Sequence, residues 1–280
     1  MLFDNHTHSQ FSFDAKGASV EGSSMRAWAL GLGGITFTDH FDIYLPQSKA
    51  LHGDLGQEDF DIGAQQEEIL RAGAEFREKG REFKILRGIE LGVYGSAREQ
   101  LSKTLRENTF DCVIASCHYL DDTDPYWGEY YEGKGWKEAF GHYLETLYSE
   151  MVWLGDRFDV MGHYDYIVRY APYKGVDCIR LKDFEILDEI LRFLAQGGKA
   201  LEINTRSYVA DGEGKRKVAA DPMVLRRFKE LGGEAISMGS DAHRVEDVGR
   251  DFGYFRDYLR SEGWRYAVHF EDRKAVFGKI

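Results

Sequence analysis

The residues best suited to chemistry are histidines and acids placed where short apolar runs end. The first run, Met1 to Phe3, leads into Asp4-Asn5-His6-Thr7-His8. It reads as a strand, and side chains two apart on a strand share a face. His6 and His8 can therefore present two imidazoles to one metal ion where the strand end meets a cavity. A lone His-x-His carries little weight, because surface histidines produce it by chance. Here the pattern recurs. His40, Glu90, His118, His163, Asp241 and His243 each follow an apolar run, and Asp14 lies in the first loop. Six of the nine histidines fall at strand ends, which core packing does not explain. The other three, His52, His142 and His269, lie in a loop, a helix and the tail, and receive no metal role. Imidazole and carboxylate ligands suit Zn²⁺, Fe²⁺ or Mn²⁺. The set is too large for one tetrahedral ion. A carboxylate can bridge, so two or three divalent ions are the natural count.

The elements that must position these groups are read from periodicity. The first strand spans residues 1–8, and a polar loop runs from Gln10 to Ser19. A helix over Glu21 to Leu32 carries Met25, Trp28, Ala29 and Leu32 at helical spacing and stops at Gly33-Gly34. The second strand starts near Ile35 and ends in Thr38-Asp39-His40. Residues 41–57 have no period and read as a long loop. A helix from Glu58 to Gly80 precedes a strand, Lys84 to Ile89, that ends at Glu90. Ser96 is expected to cap a helix to Glu107. Cys112 to Ala115 is a strand ending at His118. A loop rich in acids and aromatics follows, from Asp121 to Gly135. The next helix is Trp136 to Leu154, and the strand Phe158 to Met161 ends in Gly162-His163. A helix from Lys182 to Gln196 leads to the strand Ala200 to Ile203, which carries Glu202, Asn204 and Arg206. Asp221-Pro222 opens a helix to Leu231. The strand Ala235 to Met238 ends in Gly239-Ser240-Asp241-Ala242-His243, and a last helix is expected over Val245 to Glu262. Strand-like pieces near Tyr266–Phe270 and Ala275–Phe277 close the chain. Seven strands alternating with helices predict an α/β fold with a parallel sheet. Ligand residues after nearly every strand favour a closed barrel over an open sheet, because closure brings all the ends together.

The totals bound what this site can serve. A chain of 280 residues, 43% hydrophobic, suffices for one domain spanning 1–280. The net charge is −12 and the pI near 5.3. The one short basic run, Lys215-Arg216-Lys217, is flanked by acids. No basic stripe is present, so binding to a nucleic-acid polymer is disfavoured while a small anionic ligand is not. Cys112, Cys117 and Cys178 show no paired spacing and read as reduced thiols, Cys112 and Cys117 as buried ones. There is no signal-peptide pattern, and no apolar stretch approaches the roughly 18 residues of a membrane span. A cytoplasmic protein without a membrane partner is the expectation; nothing in the sequence sets an oligomeric state.

The ordered motifs His6-Thr7-His8, Thr38-Asp39-His40, Gly88-Ile89-Glu90, Ser116-Cys117-His118, Gly162-His163 and Gly239-Ser240-Asp241-Ala242-His243 span most of the chain. Together they resemble the polymerase-and-histidinol-phosphatase (PHP) family, most closely its histidinol-phosphatase branch. The resemblance implies a distorted seven-stranded (β/α) barrel with a trinuclear metal site. On it, His6, His8, Glu90 and Asp241 would hold the first ion. Glu90 would bridge to a second held by His118 and His163, and Asp14, His40 and His243 would hold a third. Many family members have His near position 14; Asp14 matches the histidinol-phosphatase branch. His163-Tyr164 departs from the His-Pro often found there.

The same resemblance assigns Arg169 and Arg206 to gripping the phosphate of a small phosphorylated substrate, with Ile203-Asn204-Thr205-Arg206 matching the family motif. A guanidinium suits that task because it meets phosphate bidentately, although an unplaced arginine is more often a surface ion pair. The implied activity is that of a phosphoric monoester hydrolase acting on histidinol phosphate, a step of histidine biosynthesis. Bound metals would supply the nucleophile from water at neutral pH. Asp165 is a candidate general acid, or equally a partner that orients a ligand histidine. The loops 41–57 and 121–135 are candidates to meet the substrate's ammonium and imidazole, with Asp121 and Asp122 as carboxylates to test. Three rivals stand beside this reading. One is a PHP phosphoesterase acting on another small ester, such as a nucleotide. The second is an amidohydrolase-like metal hydrolase, which commonly uses a strand-end carbamylated lysine; Glu90 stands in that place instead. The third is a non-catalytic metal- or phosphate-binding module, against which the complete ligand set counts.

Overall fold

A computed structural model of the chain describes residues 1–15, 17–43, 60–120, 123–208 and 221–280. Strands and helices alternate. In order they are β1 (Phe3–Thr7), α1 (Val20–Ala29), β2 (Gly34–Phe37), β3 (His40–Phe41), α2 (Ile62–Glu78), β4 (Lys84–Gly92), α3 (Arg98–Glu107), β5 (Cys112–Ser116) and α4 (Trp136–Leu154). Then come β6 (Val160–Met161), α5 (Tyr166–Tyr170), α6 (Glu185–Gln196), β7 (Ala200–Asn204), α7 (Pro222–Glu230), β8 (Ile236–Gly239), α8 (Phe252–Ser261), β9 (Tyr266–Glu271) and β10 (Lys274–Lys279). Among the described residues one ten-stranded sheet runs β1-β2-β4-β5-β6-β7-β8-β9-β10, with β3 beside β4. Every pairing is parallel except the last, between β9 and β10.

Strand β7 shows how the sheet divides its faces. Leu201 and Ile203 join the large apolar cluster under the helices, and Ala200 joins a small cluster with Cys112, Ile114, Val160, Val268 and Phe270. Glu202 and Asn204 share the face of Ala200, one and two steps further along. So the far face is apolar at the strand starts and polar at the strand ends. A third cluster packs α1 and α2 on β2 through Val20, Ala27, Ile35, Phe37, Ile69 and Phe76.

The strand count differs from the expected seven, and the sheet does not close through a strand ladder. At the top, Asp241 N–H donates to His6 O at 2.7 Å and His8 N–H donates to Ala242 O at 2.9 Å. Lower down, the Asn5 side chain donates to Val268 O at 2.7 Å, so β9 occupies the edge that β1 would need. The tail forms a true hairpin, turning at Asp272 and Arg273, which both have positive φ. That is the turn geometry a two-residue hairpin requires.

Other boundaries also shift. The last helix starts only at Phe252, because Gly249 and Asp251 adopt φ of +67° and +58° and break the path from Val245. Ser96 caps nothing; it lies in a 3-10 turn, and Ala97 precedes α3 without a side-chain bond. Strand β4 runs two residues past Glu90, so this acid sits within a strand. A short helix, α5, lies where no element was expected. No helix among the described residues is long and apolar enough to cross a membrane. All three cysteines are buried and unbridged. The Lys215-Arg216-Lys217 run, Asp121, Asp122, His52 and most of the 41–57 loop lie outside the described residues.

Candidate metal centre

The parallel strands bring all nine candidate ligands to one end of the sheet. His6 is the last residue but one of β1 and His8 follows the strand; His40 begins β3; Glu90 rises from β4. His118 and His163 lie two residues past β5 and β6, and Asp241 and His243 follow β8. Glu90 is the hub. Its Oε1 lies 3.2 Å from His6 Nε2, 3.4 Å from His118 Nε2 and 2.9 Å from His163 Nε2. Its Oε2 lies 2.8 Å from His40 Nδ1 and 3.6 Å from His8 Nε2. Asp241 Oδ1 is 3.2 Å from His8 Nε2. Asp14 Oδ2 reaches His243 Nε2 at 2.9 Å and His40 Nε2 at 3.8 Å. Four triplets have ligand atoms within 4.8 Å of one another: His8–His40–His243, His6–Glu90–His163, His6–His8–Asp241 and His40–Glu90–His118.

Residues that the sequence reading left without a role turn these rings the right way. His6 Nδ1 faces Glu202 Oε1 at 2.7 Å, and the other oxygen of Glu202 accepts the His163 backbone N–H at 2.7 Å. Asp42 Oδ1 is 2.9 Å from His118 Nδ1. His8 Nδ1 meets Ser12 Oγ at 3.1 Å, and the Ser12 hydroxyl donates to Asp39 at 2.8 Å. A ring nitrogen that donates to an outer partner leaves the other nitrogen's lone pair free to ligate. In each case the free nitrogen is Nε2, turned toward Glu90 or Asp241. Close backbone approach makes room for this. A Cβ at Gly239 would collide with His6 and Glu202, and one at Gly92 with the Asp42 carboxylate. Asp241 itself has φ of +52°, a conformation few side-chain-bearing residues adopt and one often found at functional sites.

The cluster does not satisfy itself. His6 Nε2, His40 Nδ1 and Glu90 Oε2 are buried and make no hydrogen bond, although the last two are 2.8 Å apart. Neighbouring groups are also pushed in opposite directions. Burial, then the charges of His40 and His243, holds His8 well below its ordinary value. Burial would lower His40 too, but Glu90 and Asp14 outweigh it and push that ring up to about 9. The two rings stack with centroids 4.1 Å apart. For Glu90, burial opposes ionisation, and the imidazoles of His6, His40 and His118 still hold it well below the carboxylate range. Buried polar atoms left in this state call for a further binding partner. A divalent cation fits, because every unsatisfied inward atom is a lone-pair donor.

The centre opens into a cavity of about 560 Å³. Arg169, from α5, and Arg206, from the turn after β7, line it. Arg169 Nη1 donates to Asp241 Oδ2 at 3.0 Å, and Arg206 Nη1 to Asp241 O at 3.2 Å. Arg206 also abuts His243. Asp165 is not brought to the cavity wall. It directly precedes α5, with no side-chain bond to the helix, and accepts from Ser207 Oγ at 2.8 Å, while Ser207 Oγ accepts from Arg169 Nε at 2.9 Å. Asp165 thus stands behind Arg169 rather than facing the reacting space.

Parallel strands, ring-orienting acids and two inward guanidinia mark an α/β metal-dependent hydrolase. A wider comparison narrows this class. The chain belongs to the PHP domain family, whose model matches residues 4–206. It is 35% identical to the histidinol-phosphatase of Lactococcus lactis subsp. lactis, over 97% of this chain and 95% of that protein. Against a probable histidinol-phosphatase of Clostridium acetobutylicum the identity is 30%, over 90% of each. A crystal structure of histidinol phosphate phosphatase from Lactococcus lactis, complexed with Zn, L-histidinol and phosphate, superposes with a TM-score of 0.84 at 31% identity. That match covers 98% of both chains.

Proposed function

We propose that this chain is a metal-dependent phosphatase that hydrolyses L-histidinol phosphate to L-histidinol and phosphate. The observation that carries this reading is the joining of two features in one cavity: a lone-pair cluster centred on Glu90, and two arginines beside it. The likeness to named histidinol-phosphatases over nearly the whole chain supports the choice of substrate. We read residues 1–280 as one PHP-type domain and its sheet as a distorted barrel. The backbone bonds from Asp241 to His6 and from His8 to Ala242 support closure at the site end.

His6, His8, Asp14, His40, Glu90, His118, His163, Asp241 and His243 would hold two or three divalent ions, Zn, Fe or Mn. Such ions, when bound, supply charge neutralisation at phosphate and a nucleophile from water at neutral pH. The chain's own residues do the rest. Arg169 is nearly enclosed, pinned by Asp241 and Ser207, and offers a fixed edge to one face of the phosphate. Arg206 is 37% exposed and can follow the phosphate in and out. Together they neutralise the equatorial oxygens as charge develops. Asp165 holds Ser207, and through it Arg169, which makes it a positioning residue. Glu202 and Asp42 keep the Nδ1 protons of His6 and His118 directed outward. Three buried thiols support a reducing, cytoplasmic setting.

The test is phosphate release from L-histidinol phosphate by protein loaded with Mn²⁺, Zn²⁺ or Fe²⁺, with Arg206→Ala and His118→Ala beside it. Release faster than from p-nitrophenyl phosphate and nucleotides, and lost in both variants, is the expected result. Indiscriminate slow release would keep the metal site and discard this substrate.

A further inference from the structure

The cavity has a second pole that the phosphate chemistry leaves unused. Asp124 lies on its wall, in the turn after β5. Both of its side-chain hydrogen bonds fall on Oδ1 and both donors are neutral: the Tyr126 N–H at 2.8 Å and the Tyr166 hydroxyl at 3.0 Å. Among the described residues no lysine or arginine pairs with it. The other carboxylates at the cavity are compensated differently. Asp14 and Asp42 face imidazoles, Asp241 faces both arginines, and Asp247 is bridged to Arg250. Asp124 is half-buried, and burial, offset in part by the Tyr126 N–H, the more distant His118 and the Tyr166 hydroxyl, pushes its carboxyl up to about 6.

The surroundings suit a cation. Tyr126 and Trp127 are 54% and 39% exposed at the mouth, edge to face at 4.9 Å. Aromatic faces attract cations. Tyr166 links the two poles. Its ring centroid lies 5.2 Å from those of His118 and His163, and its hydroxyl rests on Asp124. A cation one tyrosine ring away from the phosphate position would therefore meet Asp124. In histidinol phosphate the ammonium sits on the second carbon from the ester oxygen, a short reach of that kind.

We propose that Asp124 is the specificity residue that binds the substrate's ammonium, with Tyr126 and Trp127 flanking it at the mouth. This rests on the histidinol-phosphatase reading and extends it to one carboxylate. A charge pair closed off from water when the substrate fills the cavity separates a substrate from an analogue lacking the partner by about 100-fold.

The experiment compares kcat/KM for L-histidinol phosphate with that for the phosphate ester of 3-(imidazol-4-yl)propan-1-ol, which lacks only the amine. Metal-loaded wild type should favour the amine about 100-fold, and Asp124→Asn should bring the ratio close to one. Binding of L-histidinol, followed by calorimetry, should weaken by a similar factor in the same variant. An unchanged ratio in Asp124→Asn overturns the proposal. Should that variant not fold, the wild-type ratio decides, and a value near one overturns it. If wild type turns over neither ester, the reaction reading fails instead; calorimetry of L-histidinol against its des-amino analogue on wild type then judges the ammonium subsite by itself, equal binding overturning it.

Discussion

The two ends of the sheet both gather buried carboxylates, and they treat them in opposite ways. At the end where the tail hairpin docks, each acid meets donors in good geometry. Asp111 accepts the Arg87 backbone N–H at 2.9 Å, Arg87 Nε at 3.1 Å and the Asp272 N–H at 3.1 Å. Asp159 accepts the Val113 N–H at 2.8 Å and lies against the Arg273 guanidinium. At the other end, Glu90 and His40 sit 2.8 Å apart and make no bond. Satisfied pairs hold a structure together. Unsatisfied ones, kept in place by Glu202, Asp42 and Ser12, are arranged for a guest. The same chemistry of acids and bases thus serves stability at one end and binding at the other.

That contrast can be broken by substitution. Glu90→Gln keeps the shape and removes the shared charge. Phosphatase activity should fall on the order of 10³-fold, because several kcal/mol of metal-borne stabilisation depend on it. Metal content, read by elemental analysis, should fall with it. The melting temperature of the metal-free protein should hold or rise, since an ill-paired buried charge is costly; a drop would mean the cluster is structural after all. Glu202→Gln disturbs the orientation of His6 and His163, and the Asn204 amide beside them, without touching an inward ligand atom. Metal affinity, measured by competition with a chromophoric chelator, should weaken about 10–100-fold. Arg273→Ala acts at the far end. It should cost about 1–3 kcal/mol in urea denaturation by leaving Asp159 short of a donor, with kcat essentially unchanged. A large loss of kcat there would mean that the two ends are coupled.

Legibility in the sequence follows the same division. The strand-end histidines and acids stand out because a parallel sheet exposes only its ends, so polar residues after apolar runs must face a common space. The partners behind them carry no such mark. Glu202 and Asp42 are single acids in or beside strands, and only their two-residue offset from Asn204 and His40 hints at a shared face. Helix α5, which carries Arg169, is five residues long, too short to show a helical period. The break before α8 depends on Asp251 adopting positive φ, which composition does not announce. Asp124 bears no mark in the sequence that sets it apart from Asp121 and Asp122, the acids of its loop expected to meet the ammonium. The expected seven strands become ten because the tail pieces join the same sheet as β9 and β10 and the two residues of β3 pair beside β4, a length too short to show a strand period.

The finest test of the contrast is the pH dependence of the docked tail. Burial alone would raise the Asp111 carboxyl, but the bonds from Arg87 and from the Arg87 and Asp272 backbone outweigh it and hold it below the ordinary 3.8. A carboxyl depressed in the folded state stabilises fully above its unfolded value, and that contribution disappears as pH falls through the folded one. Asp111→Asn lacks the titrating group, so its deficit against wild type should be widest near neutral pH. Below about pH 4 the two unfolding free energies should converge, as wild-type Asp111 takes up its proton. Urea titrations at several pH values on both proteins measure this directly. A deficit that stays constant down to pH 3 would assign the tail's grip to packing of Val268 and Phe270 beneath the sheet rather than to the ionised acid.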